Sequence, residues 1–108
     1  MKFTINPDIR NAETLPAEFY KSSEVYELLK KKVFAKCWHL ACNSDAVKIP
    51  GSVYPLTLLE GYLNEPLLLT RDHNDKVHCL SNVCTHRGNI LVEGADVVQN
   101  MRCRYHGR

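Results

Sequence analysis

Two short segments hold the residues best suited to chemistry. Cys84-Thr85-His86-Arg87-Gly88 and Cys103-Arg104-Tyr105-His106-Gly107 each set a soft thiolate beside an imidazole, with sixteen residues between His86 and Cys103. Each segment ends in glycine, which admits the positive φ needed to fold a loop tightly around a metal centre. One residue separates the donors in the first segment and two in the second, so each loop must arch over its centre instead of presenting donors from successive helix turns. Two chemistries use such a Cys2His2 set. A single zinc ion takes all four donors in one tetrahedron, whereas a two-iron, two-sulfide cluster takes both thiolates on one iron and both imidazoles on the other. Donor order separates them. Finger-type zinc sites collect two Cys in one loop and two His on a helix, while here each loop supplies one of each and residues 97–101 ahead of the second loop read as strand. The order and the glycines favour the cluster, with a zinc-binding module as the alternative.

Something must bring the two loops together, and the texture of the chain from Trp38 onward supplies it. Short apolar runs at 38–42, 53–59, 66–70, 77–83 and 97–101 alternate with turn residues and read as strands. Residues 71–76 join two of them, with Asn74 and Asp75 suited to the left-handed backbone of a tight hairpin. Ahead of the strands, residues 23–37 place Val25, Leu28, Leu29 and Val33 at helical spacing, with Ser22 or Ser23 as N-cap and Glu24 and Glu27 in the first turn. Lys30, Lys31, Lys32 and Lys36 suit the negative end of that helix dipole and read as a solvated face, not a binding patch. Asn6-Pro7 and Leu15-Pro16 mark irregular chain before it. The expected architecture is mainly β: an N-terminal arm and helix over 1–36, then a small antiparallel sheet or partial barrel over 37–108, incomplete at the C-terminus.

Composition sets the bounds. The 108 residues make one modest domain, with 44% hydrophobic and 24% charged residues, which excludes disordered and collagenous readings; no repeat or low-complexity tract is present. A domain of this size is only marginally stable alone, so a bound metal would contribute to folding. A net charge of +2 gives no reason to expect nucleic acid as a partner. Charge and Pro7 stand where a signal peptide needs an apolar run, and the longest uncharged stretch, 49–59, contains Pro50, Gly51 and Pro55, so neither export nor a membrane span is expected. Five cysteines are an odd count and too few for a disulfide scaffold, which suits a cytoplasmic protein whose thiols stay reduced.

C-x-H-R-G followed by C-x-Y-H-G resembles the signature of the Rieske-type, ring-hydroxylating, non-haem iron oxygenases. Upstream, Leu15-Pro16 with Phe19-Tyr20, Val33-Phe34, Trp38, Pro50-Gly51, residues 68–72 and Asn82-Val83-Cys84 look like the start of an oxygenase α subunit, so the resemblance covers nearly the whole chain. Respiratory-chain Rieske proteins carry a further Cys in each loop, where this chain has Asn89 and Tyr105. One departure is Arg108, where the family most often has Trp. The resemblance implies a Rieske [2Fe-2S] cluster, with Cys84 and Cys103 on the inner iron and His86 and His106 on the outer one. Two thiolates leave the oxidised cluster at a formal charge of about zero, against about minus two for four, so it accepts an electron more readily. The outer imidazoles keep a protonatable nitrogen, and reduction is expected to couple to proton uptake.

The family's α subunits continue into a catalytic domain whose mononuclear iron, held by two His and a carboxylate, meets oxygen and substrate. No such pattern stands in these 108 residues, so the resemblance implies an N-terminal fragment of a mono- or dioxygenase that carries electrons and has no catalytic residues of its own. It further implies a reductase or ferredoxin as donor, the missing catalytic domain as acceptor, and an α-subunit homotrimer. A free-standing Rieske ferredoxin is the rival, but 83 residues precede Cys84 and two follow His106, which fits the α subunit better. Cys37, Cys42 and Cys79 are expected as small buried hydrophobes, His39 and His78 on strands, and His73 in a turn. Arg87 is read as a loop brace or a solvated residue, and Tyr105 as packing against the loops.

Overall fold

The computed structural model describes residues 2–108, so the first position of the expected arm lies outside the described residues. The chain divides into two compact units, one ending at Trp38 and the other running from His39 to Arg108.

The first unit is helical. A 3-10 turn at Ile9–Asn11 precedes α1 (Ala17–Lys21) and α2 (Ser23–Lys32). Ser22 separates the helices and caps the second, its Oγ accepting the Val25 amide at 3.3 Å, which satisfies one of the amides a helix start leaves open. Phe19 meets Phe3 edge-on at 5.2 Å between ring centroids, and Val25 is the buried residue of α2. Lys30 bridges Glu27 at 2.7 Å and lies over the Tyr26 ring at 4.9 Å, so that part of the lysine run is engaged on its own helix. The expected helix to residue 37 stops five residues early. Val33 takes φ −115°, its amide bonds to the Leu29 carbonyl, and the chain tightens into a 3-10 turn at Phe34–Lys36, a common way to satisfy the last carbonyls.

The second unit is an antiparallel sheet of β1 (Ser52–Leu58), β2 (Glu65–Arg71), β3 (Val77–Ser81) and β4 (Asp96–Val97), in the order β3-β2-β1-β4. Register places Leu68 between Pro55 on β1 and Leu80 on β3, and Val53 opposite Thr70, so Val53 and Leu68 share one face. Both are essentially inaccessible, as is Val47 in the 3-10 helix Ser44–Val47 that lies against β1 and β2. Arg71 ties that helix to the end of β2, its Nε donating to the Val47 carbonyl at 2.6 Å.

The β2–β3 turn is organised by Asp72. Its Oδ1 accepts the amides of Asn74 and Lys76, each at 2.9 Å, and its Oδ2 meets His78 Nε2 at 2.7 Å. The His78 hydrogen bond, aided by these amides, holds the Asp72 carboxyl below its ordinary range. Asp75 alone takes the left-handed conformation, at φ 67°.

Three expectations need correction. Residues 38–42 form no strand: they pair with none of the four described strands, and Trp38 and Leu40 are almost fully exposed. His39 therefore lies off any strand. The strand expected over 97–101 pairs only at Asp96–Val97, since β1 begins at Ser52 and offers nothing beyond the Val98 amide bonded to the Gly51 carbonyl. Cys37 and Cys79 are exposed and Cys42 is half-buried; Cys79 sits on the edge strand β3 and Cys37 in irregular chain after α2, where no second layer covers them.

Candidate metal centre

Residues 83–91 leave the sheet and return as a closed loop. Val83 bridges Ile90, the Cys84 amide donates to the Asn89 carbonyl at 2.7 Å, and the Gly88 amide donates to the Cys84 carbonyl at 2.9 Å. The second loop repeats this frame. The Cys103 amide donates to the Arg108 carbonyl at 2.6 Å and the Gly107 amide to the Cys103 carbonyl at 2.8 Å. Each frame thus runs from a Cys through the glycine four residues on to an acceptor five residues on, and its closure needs Gly88 and Gly107 at φ 70° and 76°. His86 and His106 occupy the third and fourth positions of otherwise equivalent loops. The unequal Cys–His spacing in the sequence is therefore a difference of position within one loop type.

The four side chains sort by burial. Cys84 and Cys103 are buried, while His86 and His106 are exposed. The imidazoles meet edge-to-face with ring centroids 4.8 Å apart, and the Tyr105 ring packs on His106 at 3.9 Å. Above all, the Tyr105 amide holds the Cys103 thiol below its ordinary range, against the opposing effect of burial. The Cys84 thiol, the His106 amide and the Asn89 carboxamide add to this, the last with Nδ2 at 3.9 Å from Cys103 Sγ. Two buried sulfurs lie within hydrogen-bond reach of each other, the Cys103 sulfur facing the N–H donors of Tyr105, His106 and Asn89, beside two imidazoles at the surface. That donor set suits a group that needs anionic sulfur on one side and neutral nitrogen on the other. Among the described residues, no three His, Cys, Asp or Glu side chains form a group that could hold one metal ion. His39, His73 and His78 lie elsewhere, His78 being bound to Asp72.

Asn82 and Asn89 escaped the sequence reading as functional residues. Asn82 is buried at the end of the strand leading to Cys84. Its Nδ2 donates to the Val92 carbonyl at 2.7 Å, and its Oδ1 accepts the Val92 amide at 2.9 Å. A lone asparagine beside an apolar run gives no periodic signal, and the family-like Asn82-Val83-Cys84 segment marks its place two residues before Cys84 without assigning it a role.

Paired Cys/His loops projecting from a small antiparallel sheet define an iron–sulfur type of β domain. The Rieske [2Fe-2S] domain description matches residues 37–108, and the chain belongs to that family. Its relatives include the chloroplastic choline monooxygenase of Spinacia oleracea, 35% identical over 97 residues that cover 90% of this chain and 21% of the relative. The carnitine monooxygenase oxygenase subunit of Acinetobacter baumannii is 32% identical over 105 residues, covering 96% of this chain and 27% of its own length. Among solved structures, a quaternary ammonium Rieske monooxygenase, described in terms of carnitine oxidation by gut microbiota and inter-subunit electron transfer, superposes with a TM-score of 0.73. It is 29% identical, and the match covers 85% of this chain and 24% of that one. The chain therefore spans about a quarter of the length of these relatives.

Proposed function

We propose that this chain is the electron-delivering part of a Rieske oxygenase, with Cys84 and Cys103 holding the inner iron of the cluster and His86 and His106 the outer iron. The cluster, when bound, takes up one electron at a time and gives it up again. The chain's own residues supply the setting. The buried Cys103 thiol sits among amide donors that favour its anionic form, and the frame of each loop fixes its Cys backbone at both N–H and C=O. The exposed His86 and His106 form the edge through which an electron enters or leaves, while burial keeps water from the sulfur side. The observation that carries the reading is this division of two buried sulfurs and two contacting surface imidazoles between equivalent loops.

Residues 37–108 are the Rieske portion on this reading, and residues 1–36 an arm preceding it. The acceptor is a mononuclear iron in a catalytic domain, where O2-dependent hydroxylation of an organic substrate takes place. The donor is a reductase or ferredoxin. A homotrimer of α subunits, in which one subunit's Rieske portion serves its neighbour, is supported by the inter-subunit electron transfer ascribed to the 29% identical structure. The proposed compartment is the cytoplasm: no disulfide joins the five described cysteines, and no described helix is long and apolar enough to cross a membrane.

Iron and acid-labile sulfide analysis of the full chain, with its visible spectrum, tests the proposal. Two irons and two sulfides per chain are expected, and Cys103→Ser and His106→Ala should each abolish the native spectrum. A colourless protein holding one zinc, or variants that keep the wild-type spectrum, would overturn it.

A further inference from the structure

We propose that Asn82 is the positioning residue of the first ligand loop, its carboxamide standing in for a backbone peptide at the root of the segment that carries Cys84 and His86. The inference rests on the ligand assignment above and extends it to a residue that touches no ligand side chain.

Five contacts close the 83–91 loop in nested order. Outermost, the Asn82 carboxamide pairs with both backbone groups of Val92; within that, the Leu91 amide donates to the Asn82 carbonyl at 3.3 Å. Val83 then bridges Ile90, and the innermost two are the Cys84–Asn89 and Gly88–Cys84 bonds. A ladder of this kind normally continues into paired strands, but β3 ends at Ser81 and residues 91–92 belong to no strand. The side chain of Asn82 supplies the rung that a neighbouring peptide would otherwise provide. It offers one donor and one acceptor at the spacing of an amide, and both are used at short range. Its own amide donates to the Pro66 carbonyl at 2.9 Å, which ties the loop root to the start of β2. Asn82 is 3% exposed, so losing its carboxamide leaves the Val92 groups without their partner in a site closed to most water. The second loop closes through its own Cys103–Arg108 and Gly107–Cys103 bonds, with no counterpart of the Asn82 carboxamide among them. Asn82 therefore governs the first loop alone.

The test compares Asn82→Ala and Asn82→Asp with Val47→Ala, which cuts the core beside the opposite end of β2, next to Arg71. Asn82→Asp keeps the side chain's shape and its acceptor but removes the donor to Val92, so it remains informative if Asn82→Ala fails to fold. Each protein is loaded, its paramagnetic resonance spectrum recorded in the reduced state, and the rate of cluster loss to a chelator measured at the same interval below its own melting temperature. Both Asn82 variants should lose the cluster at least about tenfold faster than Val47→Ala, tenfold being the change expected from one hydrogen bond of about 1.4 kcal/mol and Asn82→Ala losing two, with shifted resonance positions. Equal loss rates and unshifted resonances across the three variants would overturn the role of Asn82 while leaving the ligand assignment intact. Wild-type chain that binds no iron and sulfide would overturn both.

Discussion

Replacing Gly51 by alanine should destabilise the sheet unit through two separable effects where β1 meets the β4 segment. Gly51 stands at φ 86°, immediately before β1; its amide donates to the Arg71 carbonyl at 2.8 Å and its carbonyl accepts the Val98 amide at 2.9 Å. A Cβ there would lie 2.8 Å from the Val98 carbonyl oxygen and 3.4 Å from Val97 Cγ1. The left-handed backbone costs an L-residue about 1–2 kcal/mol. The backbone oxygen cannot swing aside as a side chain would, so relief comes by weakening the Val98–Gly51 hydrogen bond, a further ~0.5–1.5 kcal/mol. Together these give about 1.5–3.5 kcal/mol, which for a unit of this size lowers the melting temperature by roughly 6 to 28 °C. Gly61→Ala and Gly94→Ala dissect the sum. Gly61 has φ 76° in open space, so its variant reports the backbone effect alone, while Gly94 has neither a positive φ nor a neighbour within 4 Å. Thermal unfolding followed by circular dichroism should rank the losses Gly51 > Gly61 > Gly94. A Gly51→Ala loss no larger than that of Gly61→Ala would refute the clash argument.

Two further outcomes follow from the site and from the turn. Asn89→Ala removes the donor 3.9 Å from Cys103 Sγ and should move the cluster's midpoint potential downward, because a hydrogen bond to a ligand sulfur favours the more negative, reduced state; redox titration showing an unchanged or raised midpoint would exclude the contact as a tuning element. Asp72 is held below the ordinary carboxylate range, so its contribution to stability is complete above about pH 4 and is lost as pH falls through the depressed folded value. The stability gap between wild type and Asp72→Asn should thus narrow on going from pH 5 to pH 3, and a constant gap would contradict the assignment; taking the difference between the two proteins removes acid effects common to both.

The two Cys/His loops are conspicuous in the sequence because chemistry leaves few ways to space two thiolates, two imidazoles and two glycines. Gly88 and Gly107 take the positive φ their positions implied, and Ser22 caps the helix the apolar spacing marked out. Three of the expected strands, at 53–59, 66–70 and 77–83, coincide with β1, β2 and β3 to within two residues at either end. The failures have separate causes. An apolar run at 38–42 looks like a strand until one asks what it pairs with, and ladder partners are decided by the whole sheet, not by local pattern. Cys79 looked like a core residue because edge and centre strands carry similar sequences. Asn82 stood out only as part of the family-like Asn82-Val83-Cys84 segment, without a role: a carboxamide replacing a peptide in a ladder depends on where Val92 returns, and no pattern around residue 82 encodes that return.

On the proposed function, nitrogen from two histidines and sulfur from two cysteines meet at one cluster. Electron–nuclear double resonance on the reduced chain, with histidine labelled by nitrogen-15, reads this directly. The account predicts two strongly coupled histidine nitrogens, both lost in the His86→Ala and His106→Ala pair of variants. A spectrum with no histidine nitrogen coupled to the cluster would contradict it.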